Sequence, residues 1–173
     1  MSPLDIKALI VDVPDFPKPG IVFKDITPVL TSAAAFRAAT ELLAARVADT
    51  PCDGVLAIES RGFVFGAPLA QHLELPLHLV RKRGKLPRAA LSVRYELEYG
   101  FDHLEMHADA VERGRRYLIV DDVIATGGTA AAVASVVARE GASVAACLFL
   151  VELGFLGGRE KLAGLRVESL ITY

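Results

Sequence analysis

Short apolar runs that alternate with helical segments constrain this chain more than any other feature. Val55–Ile58, Leu75–Val80, Tyr117–Val120 and Val144–Val151 are each dominated by apolar residues. Strands that read as continuous apolar runs are buried on both faces, the pattern of a parallel sheet held between helices. Residues 66–73 and 129–140 carry helical patterns between these runs, and Gly141 stands where a left-handed residue closes the second helix. The order predicts an α/β fold with a mainly parallel central sheet flanked by helices. No repeat, low-complexity tract or linker divides residues 1–173, so a single domain is expected.

The N-terminal third is read from caps and breakers. Ser2 and Pro3 resemble an N-cap and first helical turn, with Asp5 three positions on, and predict a short helix to about Val11. Pro14, Pro17, Pro19 and Gly20 make residues 13–20 irregular. Ser32 is placed to cap a helix over 33–48. Residues 85–114 mix charged and aromatic side chains and predict a long excursion or hairpin, a feature often tied to function.

Composition excludes several classes. Hydrophobic residues make up 53% of the chain and mean hydropathy is +0.40. Yet the apolar stretches fall far short of the ~20 residues that a spanning helix needs, and no secretory signal pattern opens the sequence. No membrane association is expected. Nineteen Lys and Arg against 21 Asp and Glu leave a net charge of −2, which argues against a nucleic-acid partner. Cys52 and Cys147 cannot build a disulfide framework, so free thiols in a reducing cytoplasm are expected.

Ligands of open parallel sheets bind beyond the carboxyl ends of the strands. After the third apolar run come Asp121 and Asp122, then Ala125, Thr126, Gly127, Gly128 and Thr129 opening a helix. Glycines let backbone amides close on a phosphate, threonine hydroxyls donate further bonds, and a helix N-terminus favours the anion. Adjacent carboxylates suit the two hydroxyls of a ribose or a hydrated Mg²⁺. The stretch reads as a ribose-5-phosphate cradle and lacks the order of a P-loop. Glu59, Ser60, Arg61 and Gly62 follow the first run, where arginine suits a diphosphate oxygen. The cluster Arg81, Lys82, Arg83, Lys85 and Arg88 follows the second. His103 and His107 are spaced as zinc ligands on a helix, but Leu104 and Met106 alternate with them as on a strand.

These motifs resemble the type I phosphoribosyltransferases, and the likeness to the family's adenine branch extends over nearly the whole chain. Asp15–Pro28 is similar to that branch's base-recognition segment, a small N-terminal hood. Residues 59–63 are similar to its pyrophosphate-side loop, 81–87 and 96–100 to the two ends of its mobile loop, and 158–162 to its C-terminal element. The resemblance implies adenine and 5-phosphoribosyl-1-pyrophosphate as substrates, and Mg²⁺ accompanying the latter. It also implies a homodimer in which basic loop residues come partly from the neighbouring subunit. Glu59, Ser60, Arg61, Arg81, Lys82 and Lys85 are then expected at the pyrophosphate. Val22, Phe23 and Lys24 are expected at adenine, Phe23 stacking and the backbone of the other two reading the base edge. Lys24 departs from the arginine of some relatives, which is harmless if only its backbone is used. Glu98 is expected to handle the base's proton, with Arg61 stabilising the leaving group. The 6-oxopurine relatives usually carry aspartate where this chain has Ala125, which favours adenine over hypoxanthine, guanine or xanthine. A regulator that binds the same donor without catalysis is the other alternative, disfavoured by Arg61 and the retained loop.

Overall fold

Ser2 begins the chain's first helix as its side chain dictates. Its hydroxyl accepts from the Asp5 amide at 3.3 Å, and the Asp5 carboxylate accepts from the Ser2 amide at 2.7 Å, a reciprocal capping box. In the computed structural model, which describes residues 1–96 and 101–173, this helix α1 spans Pro3–Lys7. It stops short of Val11 because that residue opens a strand, β1 (Val11–Pro14), paired antiparallel with β2 (Val22–Asp25). The proline-rich stretch is therefore irregular only from Asp15 to Gly20, where Gly20 turns the chain at a φ of +88°. This hairpin is the hood.

Helix α2 (Thr27–Thr31) leads into α3 (Ala33–Ala45), whose cap is Ser32: its hydroxyl accepts from the Ala35 amide at 3.3 Å. Next come β3 (Gly54–Ile58), α4 (Arg61–His72) and β4 (Leu77–Lys82), then the hairpin β5 (Ala90–Glu96) and β6 (Phe101–His107). The chain closes with β7 (Arg116–Ile124), α5 (Gly128–Arg139), β8 (Ser143–Glu152) and β9 (Val167–Thr172). The main sheet runs β5-β6-β4-β3-β7-β8-β9. Its five strands from β4 to β9 are parallel, and the β5–β6 hairpin adds antiparallel to the β4 edge. His103 and His107 lie on β6, which removes the helical zinc spacing.

Strand alternation divides the core between the two faces of the sheet. Leu118, Val120, Leu148 and Leu150 pack with α3 and α4 through Leu43, Phe65 and Leu69. Ile119, Cys147 and Phe149 face the other way onto Val133, Val136 and Val137 of α5, and onto Leu104 and Met106 of the hairpin. Phe65, Leu69, Leu118 and Ile119 are fully buried. Cys147 is a free thiol in this core, and burial pushes its pKa up to about 12. Among the described residues no helix is long and apolar enough to cross a membrane.

Two boundaries differ from the sequence expectation in ways that matter for the site. Helix α4 begins at Arg61 and not near Gly66, so Arg61 sits in a first helical turn. Strand β7 runs on to Ile124, so Asp121 and Asp122 belong to its end and do not follow it. Pairing with β8 through Ile124↔Glu152 sustains that extension.

Candidate active site

The parallel sheet reverses its winding at β3, which neighbours β4 on one side and β7 on the other. The carboxyl ends of these strands open a crevice between them, and the hood lies over it. A cleft of about 740 Å³ results, lined by Val22, Phe23 and Lys24 of the hood, by Glu59, Ser60, Arg61 and Lys82, and by Asp121, Asp122, Ala125 and Thr129. Residues separated by a hundred positions in the chain thus share one cavity.

The segment at 59–62 is held by a glycine and a carboxylate. A Cβ on Gly62 would lie 2.6 Å from the Val120 carbonyl oxygen and 3.1 Å from Cα of Asp121. Only glycine lets the first turn of α4 rest against the end of β7, so Gly62 serves close packing and not flexibility. Glu59 ties β3 to β4: Oε2 accepts from the Lys82 amide at 2.7 Å and from Arg81 Nε at 3.2 Å. Burial opposes ionisation of Glu59, but those two bonds and the Arg81 charge outweigh it and hold the carboxyl below its usual range. Arg81 is spent on this strut and on the Phe63 ring, 5.9 Å away. Arg81 and Lys85 are absent from the cleft lining.

Arg61 reaches the acid pair. Its Nε lies 2.7 Å from Oδ2 of Asp122, whose side chain is only 5% exposed. Asp121 turns its carboxylate back to accept the Asp122 amide at 2.8 Å. The two acids therefore do not project side by side as a uniform pair. Burial raises the pKa of both, and the Asp122 charge raises that of Asp121 further, while Arg61 pulls both downward.

Beyond Ala125 the chain enters the glycine turn. Gly127 is left-handed at φ +74° and precedes α5 directly. Thr126, Gly127, Gly128 and Thr129 line a small cavity of about 80 Å³ at that helix N-terminus, shared with Asp121 and Ala125. Backbone amides and helix dipole both favour an anion there. The turn is braced from behind by the 3₁₀ segment Gly158–Leu162. A Cβ on Gly127 would strike the Gly158 carbonyl, and a Cβ on Gly158 would strike the Ala125 carbonyl. Arg159 locks this segment in place, donating to both carboxylate oxygens of Glu152 at 2.6 and 2.7 Å and to the Val167 carbonyl at 2.8 Å.

The hood residues Val22, Phe23 and Lys24 line the cleft, and β2 has one open backbone edge. Pro14 has no N–H to exchange with its partner Val22, and the Ile21 carbonyl accepts from the Phe16 amide at 3.3 Å. Ladder alternation then directs the backbone groups of Ile21, Phe23 and Asp25 to β1. Those of Val22 and Lys24 are left on the open edge. The Lys24 ammonium is turned away, 2.6 Å from Asp12 and 4.1 Å from the Tyr173 ring centroid. The Phe23 ring sits 5.2 Å from that of Phe16 and 5.4 Å from the Arg61 guanidinium.

Glu98 lies outside the described residues. Of the other expected site residues, the three of the hood, four of the pyrophosphate group and all of the phosphate turn line these connected cavities. Sequence reasoning missed Ile21, Val123 and Leu153 in the cleft lining and the Glu152–Arg159 brace. The apolar three carried no signal beyond hydrophobicity. The brace had one, since a glutamate ending an apolar strand and an arginine seven residues on are both rare partners for a core.

A glycine turn at a helix N-terminus, an acid pair and a basic strand end around one crevice define a class of protein. The phosphoribosyl transferase domain matches residues 26–162, and the chain belongs to that family. An adenine phosphoribosyltransferase from Carboxydothermus hydrogenoformans is 55% identical over 170 residues, 98% of this chain and 100% of its own. The crystal structure of the enzyme of that name from Thermoanaerobacter pseudethanolicus superposes with a TM-score of 0.97 at 52% identity, covering 99% of this chain and 100% of the other. That from Saccharomyces cerevisiae, solved with an imino-altritol bisphosphate and adenine, gives 0.90 at 37% identity and covers 97% of each chain. Within the family the chain falls in the adenine phosphoribosyltransferase branch.

Proposed function

We propose that the cleft transfers the 5-phosphoribosyl group from 5-phosphoribosyl-1-pyrophosphate to N9 of adenine, giving AMP and pyrophosphate. One observation carries this reading: Val22, Phe23 and Lys24 of β2, the strand with an open backbone edge, line the same cavity as Asp121, Asp122, Ala125 and Thr129. Adenine presents a donor and an acceptor side by side on its amino edge, and a strand edge offers the complementary carbonyl and amide. Phe23 supplies a ring face for the base. The 5-phosphate belongs on the turn 126–129 at the start of α5, and the ribose hydroxyls belong on Asp121 and Asp122.

The chemistry asks the protein mainly for positioning and charge. As the bond from C1 to pyrophosphate loosens, negative charge grows on the leaving group and positive charge on the ribose ring. Arg61 and Lys82 answer the first, and the buried acid pair answers the second. Asp122 Oδ2 is buried with the Arg61 guanidinium as its charged neighbour at 2.7 Å, and the raised pKa of both carboxyls fits a further cationic or hydroxyl-bearing guest. Those acids would hold Mg²⁺ through water, and Mg²⁺ would supply charge neutralisation at the pyrophosphate. Glu98, by family resemblance, takes the base's proton or stabilises the charged purine.

The family resemblance also supports a homodimer. Leu77 and Leu79 on β4, 38% and 39% exposed, add support as apolar residues on a strand face. A cytoplasmic setting fits the two free thiols. The test is direct. Purified protein with adenine, 5-phosphoribosyl-1-pyrophosphate and Mg²⁺ should release pyrophosphate and AMP in equal amounts, and chelation should stop it. Donor hydrolysis without AMP would overturn the assignment.

A further inference from the structure

We infer that Tyr173 is a positioning residue for base recognition, acting through Lys24; the inference rests on the hood reading proposed above. Tyr173 follows β9, and its backbone is tied to the end of β8: its amide donates to the Glu152 carbonyl at 2.9 Å, and its carbonyl accepts from the Gly154 amide at 3.0 Å. The half-buried ring is therefore fixed to the main sheet. Two ammonium groups stand against it, Lys24 Nζ at 4.1 Å and Lys7 Nζ at 4.2 Å from the centroid. Lys7 is anchored independently by donating to the Thr172 carbonyl at 2.7 Å. Lys24 is held from its other side by Asp12 at 2.6 Å, across the hood from it.

The side chain and backbone of Lys24 thus do separate work. The side chain, 12% exposed, joins the hood hairpin to the sheet through the Tyr173 ring. The backbone lies on the open edge of β2, whose residues Val22, Phe23 and Lys24 line the cleft. A two-stranded hairpin is marginally stable alone, so its distance from the phosphate turn depends on contacts of this kind. A cation held over an aromatic face and shielded from water is among the stronger of them. Loss of the ring frees the hairpin to shift, and the amide and carbonyl that read the base move with it, while Arg61, Asp121, Asp122 and the turn at 126–129 stay in place on the sheet. Tyr173 also lines the cavity behind Val22 and Lys24 together with Leu153 and Phe155. Truncation there opens space and removes no donor or acceptor from the cleft.

The experiment compares Tyr173→Leu and Tyr173→Phe with the parent in steady-state kinetics, varying adenine and 5-phosphoribosyl-1-pyrophosphate separately. Hydrogen exchange of the hood amides 11–14 and 22–25 is followed in the same proteins. Leucine should raise KM for adenine about three- to thirtyfold, leave KM for the donor within twofold, and speed exchange of the hood amides. Phenylalanine, which keeps the ring face, should restore both. Equal rises in both KM values, or an adenine KM unchanged by leucine, would overturn the inference. Parent protein inactive on adenine would instead refute the functional reading, and the exchange data would still decide whether Tyr173 fastens the hood.

Discussion

Arg61 Nε lies 2.7 Å from Oδ2 of Asp122, so the first turn of α4 is bound to the end of β7 by charge as well as by the Gly62 contact. The pair joins the residue proposed for the leaving group to one proposed for the ribose. Asp122→Asn removes the acceptor charge and leaves Arg61 without its counter-ion. Bonds to charged partners contribute about 1.5–3 kcal/mol, so the affinity for the donor should fall roughly ten- to hundredfold. Adenine affinity should change little, because the hood is untouched. Calorimetry with each ligand alone checks this, and unchanged donor affinity would show that Asp122 only ends a strand.

Gly158 and the glycine turn fit against each other with no room for a methyl group. In Gly158→Ala the new Cβ would strike the Ala125 carbonyl and lie 2.9 Å from Cγ1 of Ile124. Overpacking of this kind costs about 1–3 kcal/mol. A Tm lowered by several degrees is expected, along with a higher KM for the donor and an adenine KM within twofold of the parent. Thermal melts and kinetics on one preparation read all three.

Burial and the neighbouring Asp122 charge both disfavour ionisation of Asp121. Asp121 in the folded protein has a raised pKa, through burial first and the Asp122 charge second. Its contribution to stability is full below the unfolded value of about 3.9 and is lost as pH rises through the folded value. Above the unfolded value, holding this carboxyl in its buried site is a net cost. Asp121→Asn keeps an oxygen for the Asp122 amide and removes that cost. The variant should be more stable than the parent at pH 7, with a flatter acid-side stability profile, and should bind the donor poorly. Urea melts at pH 5 and pH 7 check it, and a variant less stable than the parent at pH 7 would contradict it.

What the sequence made legible was local. The run 117–129 shows its strand, its acids and its left-handed glycine within a dozen residues, and Ser2 and Asp5 announce their own capping box. The start of α4 at Arg61 was hidden, because Arg61 and Gly62 read as loop residues until β7 is seen packed behind them. Strand β9 escaped notice because Glu168, Ser169 and Thr172 dilute its apolar pattern. Val11–Pro14 was concealed by the proline that ends it. The contacts that fix the site, Arg61 to Asp122, Gly127 to Gly158 and Lys24 to Tyr173, join residues 31 to 149 positions apart. No local pattern carries such pairs.

Glu98→Gln tests the remaining chemical assignment. Glutamine preserves size but neither accepts the base's proton nor carries charge. A general acid–base group contributes about 10²–10⁴-fold, and an interaction used only in the transition state lowers kcat and kcat/KM together. Single-turnover rates should fall by that order with both dissociation constants nearly unchanged. A rate within about threefold of the parent would assign the proton to water or to another group.

The proposed reader of an amino-edge purine is the open edge of β2. Hypoxanthine and guanine reverse the donor and acceptor at that edge, so both backbone bonds would become opposed pairs of like groups. Sites built on hydrogen bonds reject such analogues strongly, by about 10⁴-fold in favourable cases. The deciding measurement is kcat/KM for adenine, hypoxanthine and guanine with saturating 5-phosphoribosyl-1-pyrophosphate and Mg²⁺. Adenine should exceed both others by at least about 100-fold, and a comparable or higher value for either 6-oxopurine would contradict the account.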